Sequence, residues 1–209
     1  MKKTGRDARV LPGTVIYDSA LLASLPRKIA ATSGMNALAH ACEGLYARDA
    51  GPLHLLFAEE GIRALAAGLP DDRERCLYGA WLCGAVLGGV SMGLHHKLCH
   101  TLGGTFNLPH AETHTAVLPH ALAYNQSAAP EAMRRIAAAL GTAGAARGVY
   151  DLAHRLGASM ALRDLGMPES GLDRAADLAM AQAYPNPRPL ERAAIRQLLQ
   201  DAWEGRRPD

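Results

Sequence analysis

Polar side chains spaced four apart inside otherwise apolar helical segments are what most restrict the folds open to this chain. His96 and His100 form one such pair, His110 and His114 a second, and Asn36 and His40 a third. Four residues along a helix advance a side chain by about 40° in azimuth and ~6 Å along the axis, so the members of each pair share a face. Each pair can therefore point into one pocket. Six of the nine histidines lie between His95 and His120, which is not how scattered core histidines distribute. Three polar pairs in three helical segments read as a site.

The rest of the composition agrees with helices. Apolar residues make up 49% of the 209 residues, enough to bury a real core in one large domain or two small ones. Aromatic residues are only 5%, whereas strands favour aromatic and β-branched side chains. A net charge of +2 with dispersed Lys and Arg argues against a nucleic-acid or acidic-membrane surface. Spanning a bilayer takes roughly 20 apolar residues. The best candidate, Ala80 to Leu94, is short, carries several glycines and ends in histidines, so no membrane span is expected. The basic N-terminus is followed by no apolar h-region, which points to a cytoplasmic protein. Cys42, Cys76, Cys83 and Cys99 show no C-x-x-C spacing and are expected as reduced, buried thiols.

Along the chain, Val10 to Asp18 is the strand-like segment, with Val15, Ile16 and Tyr17 favouring β structure. Beyond it the pattern is helical. Leu55 to Leu69 follows a 3.6-residue period, closed by Gly68 and Pro70. A long apolar helix is expected from about Arg73 to Leu94, and its glycines, each costing about 1 kcal/mol relative to Ala, imply close approach of a helix or ligand. Pro109 suits the first turn of the next helix, where unpaired N–H groups near His110 could face an anion. Further helices are expected near Pro130–Leu140, Val149–Arg163, Leu172–Ala183 and Leu190–Trp203. The fold class is thus all-α, a multi-helix bundle with a short N-terminal β segment.

The histidines invite a metal reading, since Asn36, His40, His96 and His110 come from three segments that could converge on an ion. The spacing supports convergence without requiring a metal. In His110-Ala111-Glu112-Thr113-His114 the Glu stands two residues after the first His, about 200° round the helix, which excludes the metalloprotease motif.

Several long runs, TSGMNALAHACEGLYA, EEGIRALAAGLP, GLHHKLCHTLGGTFNLPHAETH and NPRPLERAAIRQLL, together resemble the maleylacetate reductases of the iron-containing alcohol dehydrogenase superfamily. The resemblance extends over essentially the whole chain. It implies a helical catalytic domain over residues 19–209, preceded in residues 1–18 by the end of a dinucleotide-binding domain. No Gly-rich phosphate turn between a strand and a helix occurs in the sequence, so a truncated chain is the expectation.

By family position, His40, His96, His100 and His110 would be catalytic, with His100 beside the nicotinamide of NADH or NADPH. Asn36, His40, His96 and His110 match the metal site of metal-dependent relatives, where Asn36 is replaced by Asp. An amide is a poor ligand for such cations, and the resemblance implies a vestigial site with no metal. Lys97 joins Asn36 as a candidate for binding a small dicarboxylate, and a homodimer is expected. Lys3, with Lys2 and Arg6, is open to two readings, a contact to a cofactor phosphate or a solvated charge run. Glu43 is equally open, either orienting His40 or lying on the helix surface. Structural roles are expected for His54, His95, His114, His120 and His154, and surface contacts for Arg188, Arg192 and Arg196. Competing readings are a metal-dependent alcohol dehydrogenase of the same superfamily and a non-catalytic helical module that needs a separate cofactor domain.

Overall fold

The structure is a computed structural model that describes residue 9 and residues 13–209. Nine α-helices are found among the described residues: α1 (Arg27–Gly44), α2 (Pro52–Gly68), α3 (Arg73–Gly89), α4 (Leu94–Phe106), α5 (His110–Asn125), α6 (Pro130–Leu140), α7 (Ala145–Arg155), α8 (Leu172–Met180) and α9 (Arg192–Glu204). Short 3-10 turns occupy Ser19–Leu22, Leu162–Leu165 and Glu169–Gly171. The expected strand over Val10–Asp18 is absent from its described part, residues 13–18. β propensity forms a strand only where a neighbour completes the ladder, and Val15, Ile16 and Tyr17 are exposed. No single helix among the described residues is long and apolar enough to cross a membrane.

Helix α5 is the spine. Every residue from Thr113 to Leu122 is buried, because one apolar cluster lies on each side of it. On one side Leu118 and Leu122 join Met35 and Leu38 of α1, Ile62 of α2, Val86 of α3, Ile136 of α6 and Val149 of α7. On the other, Ala116 and Val117 pack with Leu98 and Leu102 of α4, Leu172 of α8 and Ile195 and Leu199 of α9. A helix buried all round must also satisfy its polar side chains internally. Thr113 and Thr115 do so by donating to the carbonyls of Pro109 and Ala111, at 2.6 and 2.8 Å.

The glycines of α3 divide into two kinds. A Cβ at Gly79 would lie 2.8 Å from Leu65 Cγ and 3.2 Å from the Gly61 carbonyl, so this glycine lets α2 and α3 approach closely as expected. Gly84 faces open space. The long helix expected to reach Leu94 stops at Gly89 instead, and α4 leaves at 95° to α3. The turn is held from outside by carboxylates. Asp49 accepts from the Ser91 N–H and hydroxyl, at 3.0 and 2.6 Å, and Glu43 accepts from the Gly93 N–H at 3.1 Å. These bonds replace the helical ones that the glycine-rich end gives up. The bend brings His96 against His40 and the start of α4 onto Glu43 of α1. Elsewhere the expected ends shift: α7 begins at Ala145 and stops at Arg155 before Gly157, whose φ is +76°. Helix α8 ends at Met180, three residues early. All four cysteines are free thiols, Cys76 half-buried and the other three buried.

Candidate active site

Three helix segments meet at the histidines. Helix α1 contributes Asn36 and His40 at mid-length, α4 contributes His96, Lys97 and His100 in its first turns, and α5 begins at His110. The His40 and His96 rings lie 5.1 Å apart between centroids, and the His96 and His100 rings 6.2 Å apart. His100 and His110 are exposed, Asn36, His40 and Lys97 are half-buried, and His96 is buried. The rings of His40, His96 and His100 thus lie close together. Pro109 sits one position earlier than expected, as the N-cap. Lys3, with Lys2 and Arg6, lies outside the described residues.

Two buried polar atoms in this set have no hydrogen-bond partner, Asn36 Oδ1 and His96 Nε2. Buried polar atoms are nearly always satisfied, so both ask for a group that the site takes up. Charge in the set is low. Burial first, and then the neighbouring His96 and His110, pull His40 down to about 3. His100 is lowered by burial, by His96 and His110 and by Lys97. Imidazoles so placed are neutral near pH 7, able to give one hydrogen bond and accept another.

Three residues with other expectations attached belong to this site by contact. His114 lies 4.3 Å from His110 and 5.0 Å from His96 between ring centroids. His95 is tied to it by a 3.0 Å bond between its Nε2 and His114 Nδ1. Burial and the surrounding histidines hold His114 down at about 2 and His95 well below the usual value. Spacing alone had paired His114 with His110, four residues before it. The third is Glu43, whose carboxylate is buried and pairs with Nδ1 of His96 at 2.6 Å. The two readings of Glu43 named His40 or the surface. Neither holds: Glu43 is buried, and its bonds go to Gly93, His95 and His96 at the start of α4.

The remaining histidines keep the structural roles expected. His54 Nδ1 accepts from the Gly51 N–H at 3.0 Å and closes the start of α2. His154 stacks on Tyr150, and His120 is buried in α5 and lowered to about 4 by that burial. Arg188 lies over the Tyr124 ring and donates to the Tyr124 carbonyl, Arg192 pairs with Asp173 and Asp177, and Arg196 reaches Asp173.

The four positions that the resemblance matches to a metal site, Asn36, His40, His96 and His110, offer an amide oxygen and three imidazoles. None is an anion. Glu43 does not supply the missing charge, since both its oxygens are engaged by His95, His96 and Gly93. Such a neutral set fits a borderline divalent cation such as Fe²⁺ poorly.

Among the described residues the fold is thus a strandless helical domain in which α1, α4 and α5 bring their imidazoles together. The C-terminal profile of the Fe-containing alcohol dehydrogenase family matches residues 30–203, and the chain belongs to that family. It is 61% identical over its whole length to a maleylacetate reductase of Burkholderia cepacia and 51% identical to one of Rhizobium sp. strain MTP-10005. It spans 62% of the length of each. Among solved structures, a putative alcohol dehydrogenase from Ralstonia eutropha JMP134 superposes with a TM-score of 0.97 at 66% identity, over 99% of this chain and 62% of the other. Maleylacetate reductase from Agrobacterium tumefaciens superposes at 0.96 with 52% identity, over 100% of this chain and 62% of the other.

Proposed function

We propose that this chain carries the helical half of a maleylacetate reductase, with residues 19–209 as the catalytic domain and residues 1–18 as the end of a dinucleotide-binding domain. The reaction is reduction of 2-maleylacetate to 3-oxoadipate in the breakdown of aromatic compounds, by an enzyme that works as a homodimer. The observation that carries this reading is the donor set of Asn36, His40, His96 and His110, which contains no carboxylate, in a chain so similar to maleylacetate reductases.

The substrate is a dianion with an alkene conjugated to a ketone. NADH or NADPH, when bound, supplies a hydride to the alkene carbon distal to the ketone. Negative charge then appears on the ketone oxygen, and a proton must reach the carbon next to that ketone. Both demands suit neutral imidazoles: an N–H of one ring donates to the enolate oxygen while another group delivers the proton. His110 is assigned to the enolate, buried His96 to the inner wall of the pocket, and His100, exposed like His110, to the nicotinamide side. Asn36 and Lys97 are assigned to the substrate carboxylates. Reducing a conjugated alkene asks for less Lewis acidity than oxidising an alcohol, so no step here is routed through a metal.

The test is a chimera in which the N-terminal part of the Burkholderia cepacia relative precedes this chain. It should oxidise NADH or NADPH only when maleylacetate is added. His96→Ala and His100→Ala should each cut turnover by ~10²–10⁴-fold, the usual worth of a general acid or positioned donor, while His154→Ala leaves it within a few-fold. Equal losses from all three substitutions, or no maleylacetate-dependent oxidation, refute the reading.

A further inference from the structure

Glu43 is only 1% exposed, and a carboxylate so placed costs several kcal/mol unless donors surround it. Four donors do. The backbone N–H groups of Gly93, His95 and His96 reach it at 3.1, 2.9 and 3.4 Å, and Nδ1 of His96 reaches it at 2.6 Å. The three backbone groups form the start of α4, where N–H groups have no partner within the helix. Gly93, the N-cap residue, has no side chain with which to cap them. It also makes the room, since a Cβ there would lie 3.1 Å from Glu43 Oε1 and 3.0 Å from the Pro185 carbonyl. A carboxylate on α1 thus caps a helix that begins fifty residues later, and favourable alignment with the helix dipole adds to the fit.

We propose that Glu43 is a positioning residue for His96, holding the start of α4 and the Nδ1–H of that ring together so that Nε2 is the nitrogen left to the site. With Nδ1–H given to Glu43, the neutral ring carries its lone pair on Nε2, the buried atom without a partner. Ring orientation and tautomer are then set by one side chain outside the reacting face. The part of this proposal that concerns turnover rests on the maleylacetate reductase reading; the part that concerns the ring does not. A purely capping Glu43 would need its backbone bonds and would leave the ring of His96 to find its own tautomer.

The two roles separate by NMR on the 209-residue chain labelled with ¹⁵N-histidine. His96 should appear as a single Nδ1–H tautomer whose proton resonates at low field, as a charge-assisted bond requires. In Glu43→Gln that proton should move upfield, because the acceptor is now neutral. A wild-type His96 that carries its proton on Nε2, or an unchanged resonance in Glu43→Gln, overturns the proposal. If Glu43→Gln does not fold, Glu43→Asp keeps the charge but is one methylene too short to hold both partners, and the wild-type tautomer decides in any case. In the chimera, Glu43→Gln should lower kcat by ~10–100-fold with KM little changed, and the loss should vanish in a His96→Ala background. An equal loss with and without His96 shows a capping role alone. A chimera inactive as wild type refutes the proposed function and leaves the NMR result to judge Glu43.

Discussion

Acid should unfold this chain well before its carboxylates are protonated. His120, His114 and His40 sit at about 4, 2 and 3 in the folded protein, against about 6.5 in an unfolded chain. Below about pH 6.5 the unfolded state therefore binds protons that the folded state refuses. Stability that is whole above that value is lost as the pH falls towards the folded values, with His120 the first to reach its own. Between about pH 7.5 and pH 5.5 each of these histidines contributes a loss of about 1.4 kcal/mol, or about 4 kcal/mol for the three. His95, which burial and its neighbours also hold well below the usual value, acts in the same direction. Domains of this size are stable by only about 5–15 kcal/mol, so a large share of that margin is at stake. Urea unfolding followed by far-UV circular dichroism at the two pH values measures it directly. His120, shifted by burial alone, supplies the control: in His120→Asn the pH-dependent loss should shrink by about 1.4 kcal/mol. Stability that stays level or rises on acidification refutes the claim that these imidazoles are buried and neutral.

Elemental analysis of the purified protein should find no stoichiometric transition metal, because the residues matching the metal site carry no anion. One Fe or Zn per chain that survives chelation would overturn this and favour the alcohol dehydrogenase reading. The glycines of α3 should respond with opposite signs. Gly79→Ala drives a Cβ against Leu65 and the Gly61 carbonyl and should lower the urea midpoint, by ~1–3 kcal/mol of overpacking. Gly84→Ala meets open space and should stabilise by up to about 1 kcal/mol through helix propensity; a loss at Gly84 would show that its surroundings are closed.

Local spacing carried much of this site into view. An i,i+4 pair needs only a helix to align it, so Asn36 with His40, and His96 with His100, were legible before any tertiary contact was known. Glu43 was not, because its partner depends on the 95° bend after Gly89. Nothing in the periodicity of residues 73–94 marks that bend, as the apolar pattern runs on and the deciding bonds come from Asp49 and Glu43, about forty to fifty residues away. His95 and His114 were expected to be structural, with His114 noted only for its spacing to His110, for a related reason. A buried histidine bonded to another histidine has the same sequence appearance as one satisfied by a carbonyl, and only their 3.0 Å approach distinguishes the cases. The strand at Val15 to Tyr17 failed in the opposite way, since propensity was present and the partner was not.

The placement of charge connects these observations. A site that takes a dianion from water has to meet it with donors, and any carboxylate on the same face would repel it and raise the proton affinity of the nearby imidazoles. Asn36 removes one such carboxylate by identity. Glu43 is removed by direction, its charge turned to the N-terminus of α4 and to the far side of the His96 ring. What remains on the face is an amide, imidazoles and the Lys97 ammonium, with no carboxylate among them. A carboxylate at position 36 would complete a cation site and weaken the fit to a dianion in the same step. On the proposed function, therefore, the lack of a carboxylate at position 36 bears on metal and dicarboxylate binding in opposite directions, and a metal tightly held by Asn36, His40, His96 and His110 would contradict both halves of that reading together.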